Sequence, residues 1–212
     1  MPPSTLDADP PEGAGPVQKL EQELAATQRQ HETLQRHLRS MTALAKRRVF
    51  ISESLPEALA SITELCALAL EVQRSSVWVL VKGDTALRCL HLHDQGAASQ
   101  GAGGELPAEP FPDYFKELLS GRIIAADKAQ EDPRTREFTE SYLKPLDIHA
   151  MLDAPIRIHD RLVGVVCLEH TLAPRHWLPE DTAFSSFIAH TVSMVLETHF
   201  RRGGTLPDFT AP

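Results

Sequence analysis

Two adjacent apolar strands limit this chain more than any other feature. From His149 to His159 the side chains alternate: Ala150, Leu152, Ala154, Ile156 and Ile158 point one way, His149, Met151, Asp153, Pro155 and Arg157 the other. After a turn about Asp160, the stretch from Leu162 to His170 is largely apolar in both rows, with Val163, Val165, Cys167 and Glu169 on one side and Gly164, Val166, Leu168 and His170 on the other. A strand of that kind is central and covered on both faces. The aliphatic row of the first strand calls for a helical layer. Its second row, with Met151 beside Asp153, is too apolar for solvent and too polar for plain core, which suits the wall of a pocket. Glu169, at the end of a covered strand, needs a partner.

Composition sets the outer bounds. The chain has 212 residues, 42% of them hydrophobic and 24% charged, which fits one globular domain with an appendage. No stretch reaches the ~18 consecutive apolar residues of a membrane span, and the acidic, proline-bearing N-terminus lacks the basic and apolar regions of a secretory signal. A net charge of −8 disfavours nucleic acid and anionic membrane as partners. Cys66, Cys89 and Cys167 are odd in number and widely spaced, which fits a reducing compartment, so a cytoplasmic protein is expected.

Residues 1–16 hold five prolines and are expected to be a disordered tail, as is 203–212. Between them, residues 17–50 form a helical, coiled-coil segment and 51–202 the globular domain. Val17, Leu24, His31, Leu38 and Ala45 recur every seven residues, as do Leu20, Thr27, Leu34, Met41 and Arg48, and no Gly or Pro interrupts 17–55. These are the a and d positions of a heptad seam. Either it pairs with a second copy in a parallel dimer, with His31 facing its mate, or the helix packs on its own domain; the narrow stripe favours the dimer. Ser54-Leu-Pro-Glu57 starts a second helix with a capping box. A hairpin over 76–82 and 87–93 follows, then a glycine-bearing mobile loop at 94–110, a helix from Pro112 to Leu119, a strand from Arg122 to Asp127, a helix from Thr135 to Leu143, the second hairpin, and a helix from Pro179 to Arg202.

Phe111-Pro-Asp-Tyr-Phe115, Gly121-Arg122, Asp127, Asp132-Pro-Arg-Thr135, Phe138, Tyr142-Leu-Lys-Pro145, Met151-Leu-Asp-Ala-Pro-Ile-Arg157, Gly164 to His170 and Trp177 resemble the GAF domain, most closely the type found beside histidine-kinase and cyclic-di-nucleotide output domains in bacterial sensors. The resemblance covers about residues 50–200. It implies an α+β fold: a central antiparallel sheet of five or six strands with helices on one face, here preceded by a long N-terminal helix, and a small-molecule pocket on the other face. Under it, the ligand-binding residues are Tyr114, Phe115, Asp132, Arg134, Phe138, Tyr142, Met151, Asp153, Cys167 and Glu169. Arg134 is the expected partner of Asp153 or Glu169, although Asp132-Pro-Arg-Thr135 also reads as a plain helix cap with a carboxylate clamp. The four aromatics read equally as ordinary core.

Enzymatic and cofactor readings find little support. His91 and His93 share a strand face, expected to be half exposed, but no CxxC or HExxH occurs and metal is not expected. Cys167 sits in an apolar run that raises its pKa. Some GAF domains reduce methionine sulfoxide with clustered cysteines, whereas these three are scattered. Others attach a bilin to a cysteine in the helical region, and residues 111–147 hold none; the absence of any asparagine departs from the cyclic-nucleotide-binding signature. No cofactor is assigned. The expectation is a non-enzymatic sensory protein that dimerises through its N-terminal and C-terminal helices. No output module follows Arg201, so it is expected to act in trans on a protein partner such as a sensor kinase. A ligand-free adaptor, or less readily a sulfoxide-reducing enzyme, is the alternative.

Overall fold

The computed structural model describes residues 15–46, 54–96, 102 and 104–206. The expected tails over 1–14 and 207–212, the helical expectation over 47–50, and residues 97–101 and 103 of the glycine-bearing loop lie outside the described residues. The chain runs α1 (Pro16–Lys46), α2 (Leu55–Leu70), β1 (Arg74–Val81), β2 (Ala86–Asp94), β3 (Glu105–Pro107), α3 (Pro112–Leu119), β4 (Ile124–Ala126), β5 (Ala150–Ile158), β6 (Arg161–His170) and α4 (Pro179–Arg201). The strands form one antiparallel sheet in the order β3-β2-β1-β6-β5-β4. This is the α+β architecture expected, with α1, α2 and α4 on one face.

Local chemistry explains the boundaries. The Glu57 carboxylate accepts the Ser54 N–H at 2.9 Å, so α2 begins at its capping box. At the start of α4 Asp181 plays the same part, accepting the Leu178 N–H at 3.1 Å. Gly121, at φ +71, ends α3 in the left-handed region, where a Cβ would run into the Arg157 guanidinium. Two expectations change. The glycine-bearing loop contains the edge strand β3, which a single apolar residue, Leu106, did not advertise. The helix expected over Thr135–Leu143 is a 3-10 turn (Arg136–Phe138) running into one π turn (Thr139–Leu143).

Alternation divides the interior in two. Leu152, Ala154, Ile156, Val166 and Leu168 meet Ile62 and Cys66 of α2 and Ile188, Val192 and Leu196 of α4. Met151, Val165 and Cys167 face the other way, under Tyr114, Phe115 and Leu118 of α3 and Phe138 and Leu143 of the turns. Two bulges interrupt the alternation. Between Ile156 and Arg157 the β5–β6 register shifts, and Val163 joins the helical side rather than the row of Val165. A second shift, between Val77 and Trp78, accompanies the turning of His91 into the helical layer, its Nδ1 2.9 Å from Thr63 Oγ1. His91 is therefore buried, not half exposed.

The long helix carries two stripes. His37, Ser40 and Leu44 are buried against the domain, with His37 stacked on Phe184 at 4.5 Å, while Val17, Leu20, Leu24, Leu34 and Leu38 are exposed. The stripes lie roughly 140° apart around the helix at about 100° per residue. The helix thus packs on its own domain mainly through a stripe other than its heptad seam, of which Met41 alone among the large apolar residues touches the core.

At Gly164 β6 presses directly on β1. A Cβ there would collide with the Trp78 carbonyl oxygen and lie 3.0 Å from the Val79 Cα, both backbone atoms of the neighbouring strand. Gly164→Ala is expected to lower stability by about 1–3 kcal/mol through overpacking, read as a reduced urea midpoint with an unchanged slope.

Candidate functional site

On the sheet face away from α2 and α4 the strands leave a cavity of about 50 Å³. Trp78 of β1, Leu87 of β2, Leu106 of β3, Met151 of β5 and Cys167 and Glu169 of β6 make its floor; Tyr114 of α3, and Phe138 and Tyr142 of the irregular turns make its roof. The roof rings pack edge to face, Tyr114 on Phe138 at 4.8 Å and Phe138 near Tyr142 at 6.3 Å. The π turn brings Tyr142 down onto the sheet, in keeping with the frequent use of such turns at functional positions.

One end of the cavity is polar. Arg74 and Glu169 stand opposite each other in the β1–β6 register, Arg74 Nε 2.8 Å from Glu169 Oε2. Tyr142 donates its hydroxyl to Glu169 Oε1 at 2.8 Å and receives Arg74 Nη2 at 3.3 Å, while Arg74 Nη1 binds Asp94. Burial pushes the Glu169 carboxyl up, a rise that Arg74 restrains.

Deeper in the wall, Asp153 is 1% exposed and accepts the Tyr114 hydroxyl at 2.6 Å on Oδ2. Its Oδ1 has no hydrogen-bond partner. Burial pushes this carboxyl up to about 7, against the pull of the Tyr114 hydrogen bond. Cys167 lies opposite Asp153 in the β5–β6 register. Burial, then the Asp153 and Glu169 carboxylates, raise the Cys167 thiol well above its ordinary value. Burial likewise takes Cys66 and Cys89 up to about 12.

Of the residues expected from sequence, Tyr114, Phe138, Tyr142, Met151, Cys167 and Glu169 line the cavity, and Phe115 and Asp153 are buried behind it. Asp132 and Arg134 are not brought there. Arg134 binds Asp132 through Nε at 2.9 Å and Nη2 at 2.6 Å, and Nη2 also reaches the Ala125 carbonyl at 2.6 Å, on the outer strand of the sheet. Asp132 accepts the Arg134 N–H at 2.9 Å as well, so the segment closes on itself as a turn. The partner of Glu169 is Arg74, and that of Asp153 is Tyr114; Arg134 serves neither. Arg74, Trp78, Leu87 and Leu106 were not foreseen. Alternation through β1, which sets Ser76, Trp78 and Leu80 opposite Val77 and Val79, was the signal for Trp78. Nothing local marks Arg74, whose partner is 95 positions away.

The GAF domain sequence pattern matches residues 54–196, and the chain belongs to the GAF domain family. No characterised protein matches closely enough to lend it a function. Among solved structures, the GAF domain of an Acinetobacter phosphoenolpyruvate-protein phosphotransferase is similar at 14% identity and a TM-score of 0.65, over 80% of this chain and 96% of that one. The corresponding domain from Coxiella burnetii gives 16% identity and a TM-score of 0.61, over 80% and 97%. The blue-light-absorbing PixJ GAF domain of Thermosynechococcus elongatus gives 20% and 0.59, over 70% and 89%. These likenesses establish the fold. GAF domains are sensory and regulatory modules, so a role of that kind follows; among the described residues no helix is long and apolar enough to cross a membrane.

Asp153 keeps its proton in the folded chain up to about pH 7, against an ordinary value of 3.8. The stability it contributes is complete below about pH 4 and is lost as pH rises through about 7. Asp153→Asn is expected to match the parent near pH 4 and exceed it at pH 8, by about 3–4 kcal/mol at most. Urea denaturation at the two pH values is the check; a variant less stable than the parent at pH 8 would contradict it.

Proposed function

We propose that this chain is a cytoplasmic sensory GAF protein. It takes a small molecule into the cavity between the sheet and the irregular turns, and passes the occupied state through α1 and α4 to a protein partner in trans. One observation carries the reading: the cavity and the helical layer share the same two strands. Met151 and Cys167 face the cavity, whereas Leu152 and Leu168, one residue along, pack with α4. A displacement on one face is felt on the other without an intervening loop. A sensor kinase or another output protein is the kind of partner that suits such a module.

The dimer belongs to the same reading. The exposed leucines of the α1 seam form a stripe distinct from the one docked on the domain, and Phe187 of α4 is 36% exposed. Two copies joined along α1 would bury the seam in coiled-coil fashion. A second reading is favoured by the size of the cavity, which falls well below the ~300–1,000 Å³ of ordinary ligand pockets: an adaptor whose pocket stays shut and which binds only protein. Sulfoxide reduction fits the structure poorly, since all three thiols are buried and held far from thiolate at neutral pH.

Mass spectrometry of small molecules released from fresh protein, followed by a thermal-shift screen, tests the sensory reading. A ligand that raises the melting temperature supports it, and no stabilisation by any metabolite favours the adaptor. In sedimentation velocity at micromolar concentration the parent is expected to be dimeric. The double variant Leu24→Glu/Leu38→Glu should be monomeric with an unchanged circular dichroism spectrum; a monomeric parent would remove the coil dimer.

A further inference from the structure

Hydrogen-bond accounting around the cavity narrows the kind of molecule it accepts, on the premise that the cavity is the sensory site. The lining side chains carry few donors, and each is already engaged. Trp78 Nε1 donates to Ser76 Oγ at 2.8 Å, Tyr114 to Asp153 at 2.6 Å and Tyr142 to Glu169 at 2.8 Å. The remaining donor, the Cys167 thiol, lies against Asp153. Acceptors are in surplus. Each carboxylate oxygen can receive two hydrogen bonds. Glu169 is found with one on Oε1 from Tyr142 and one on Oε2 from Arg74, which leaves a lone pair on each.

Charge points the same way. The polar end holds one cation, Arg74, shared between two carboxylates, Glu169 and Asp94. A carboxylate or phosphate entering there would meet Glu169 first; the two Arg74 N–H groups left over from Glu169, Asp94 and Tyr142 belong to a residue outside the lining, so its desolvation is poorly compensated. An ammonium group would find the vacant lone pairs of Glu169 in a low-dielectric setting, where charge-assisted hydrogen bonds are strong. The rest of the lining, from Leu87, Leu106, Phe138 and Met151, is apolar. At ~10–15 Å³ for each water-sized occupant, 50 Å³ holds about three to five heavy atoms.

We infer that the cavity recognises a small primary amine: an ammonium head on Glu169 beside Tyr142, with a short apolar body over Met151 and under Phe138. Anionic ligands, cyclic nucleotides among them, are excluded by the same lining. The cation takes a lone pair that no side chain uses, so binding leaves the Arg74–Glu169 pair intact.

The test uses the full chain labelled with 13C at the methionine methyl groups, with Met151 assigned by Met151→Leu. Xenon reports entry to the cavity irrespective of chemistry. Propylammonium, 1-propanol and propionate are matched in size and differ only in the head group. Propylammonium is expected to move the Met151 methyl saturably in the millimolar range, and at least tenfold more tightly than propionate. Glu169→Gln should weaken it about tenfold or more while leaving propanol little changed. Tyr142→Phe frees a further lone pair on Glu169 and should tighten propylammonium severalfold, so the sign of that change decides the matter even where Glu169→Gln fails to fold. Propionate binding as tightly as the amine, weaker amine binding in Tyr142→Phe, or xenon moving Met151 while propylammonium does not, would each overturn the inference and leave the cavity reading standing. If neither xenon nor any probe moves Met151, the cavity reading itself falls, and this inference with it.

Discussion

Arg74 and Glu169 face each other across the β1–β6 ladder with almost no water contact: Arg74 is 7% exposed and Glu169 2%. Two charges in that position are tolerable only as a satisfied pair, because the desolvation penalty of either one alone amounts to several kcal/mol. The satisfaction is shared out widely. Asp94 at the end of β2 takes one arm of the guanidinium, and Tyr142 bridges the pair from above. Three neighbouring strands and the irregular roof are thereby tied at a single point. The apolar remainder of the cavity, from Trp78 to Phe138, is arranged around that knot.

The sheet separates two kinds of interior. On the helical side the packing is mainly aliphatic, from Leu59 through Ile188, with Phe184 and Trp177 as its aromatics. On the other side it is aromatic, interrupted by carboxylates, and closed by turns whose hydrogen bonding departs from the α-helical ladder. A dense core resists deformation, whereas a roof of short turns with a small void beneath it has alternatives. The cavity side therefore has more room to rearrange than the helical side.

Much of this was legible in the chain itself. Period-two alternation from Ala150 to Ile158 places Met151 and Asp153 opposite Leu152 and Ala154, and the motifs around Tyr114, Phe138 and Gly164 point to the GAF fold. Where pattern fell short, the cause is physical. Bulges shift the phase of alternation by one residue, so Val163 leaves the row of Val165, and His91, expected on a half-exposed face, turns into the helical layer. Arg134 stands in a motif that suits a carboxylate clamp, yet Asp132 is only two positions away and captures it first. Arg74 acquires its role from a partner 95 residues on, a pairing that only the register of the completed sheet creates. The seam of α1 posed an either-or question, pairing or packing, that one helix with two stripes does not oblige it to answer.

That helix has mechanical implications. The domain grips it from Arg36, whose Nε reaches the Ala69 carbonyl at 2.8 Å, to Leu44. Residues 16–32 extend beyond the grip, a rod of ~25 Å at ~1.5 Å per residue. A tilt of about 5° at the fulcrum carries its tip roughly 2 Å, comparable to the shifts by which packed helices change partners. Any tilt imparted at the grip is thus magnified at the tip.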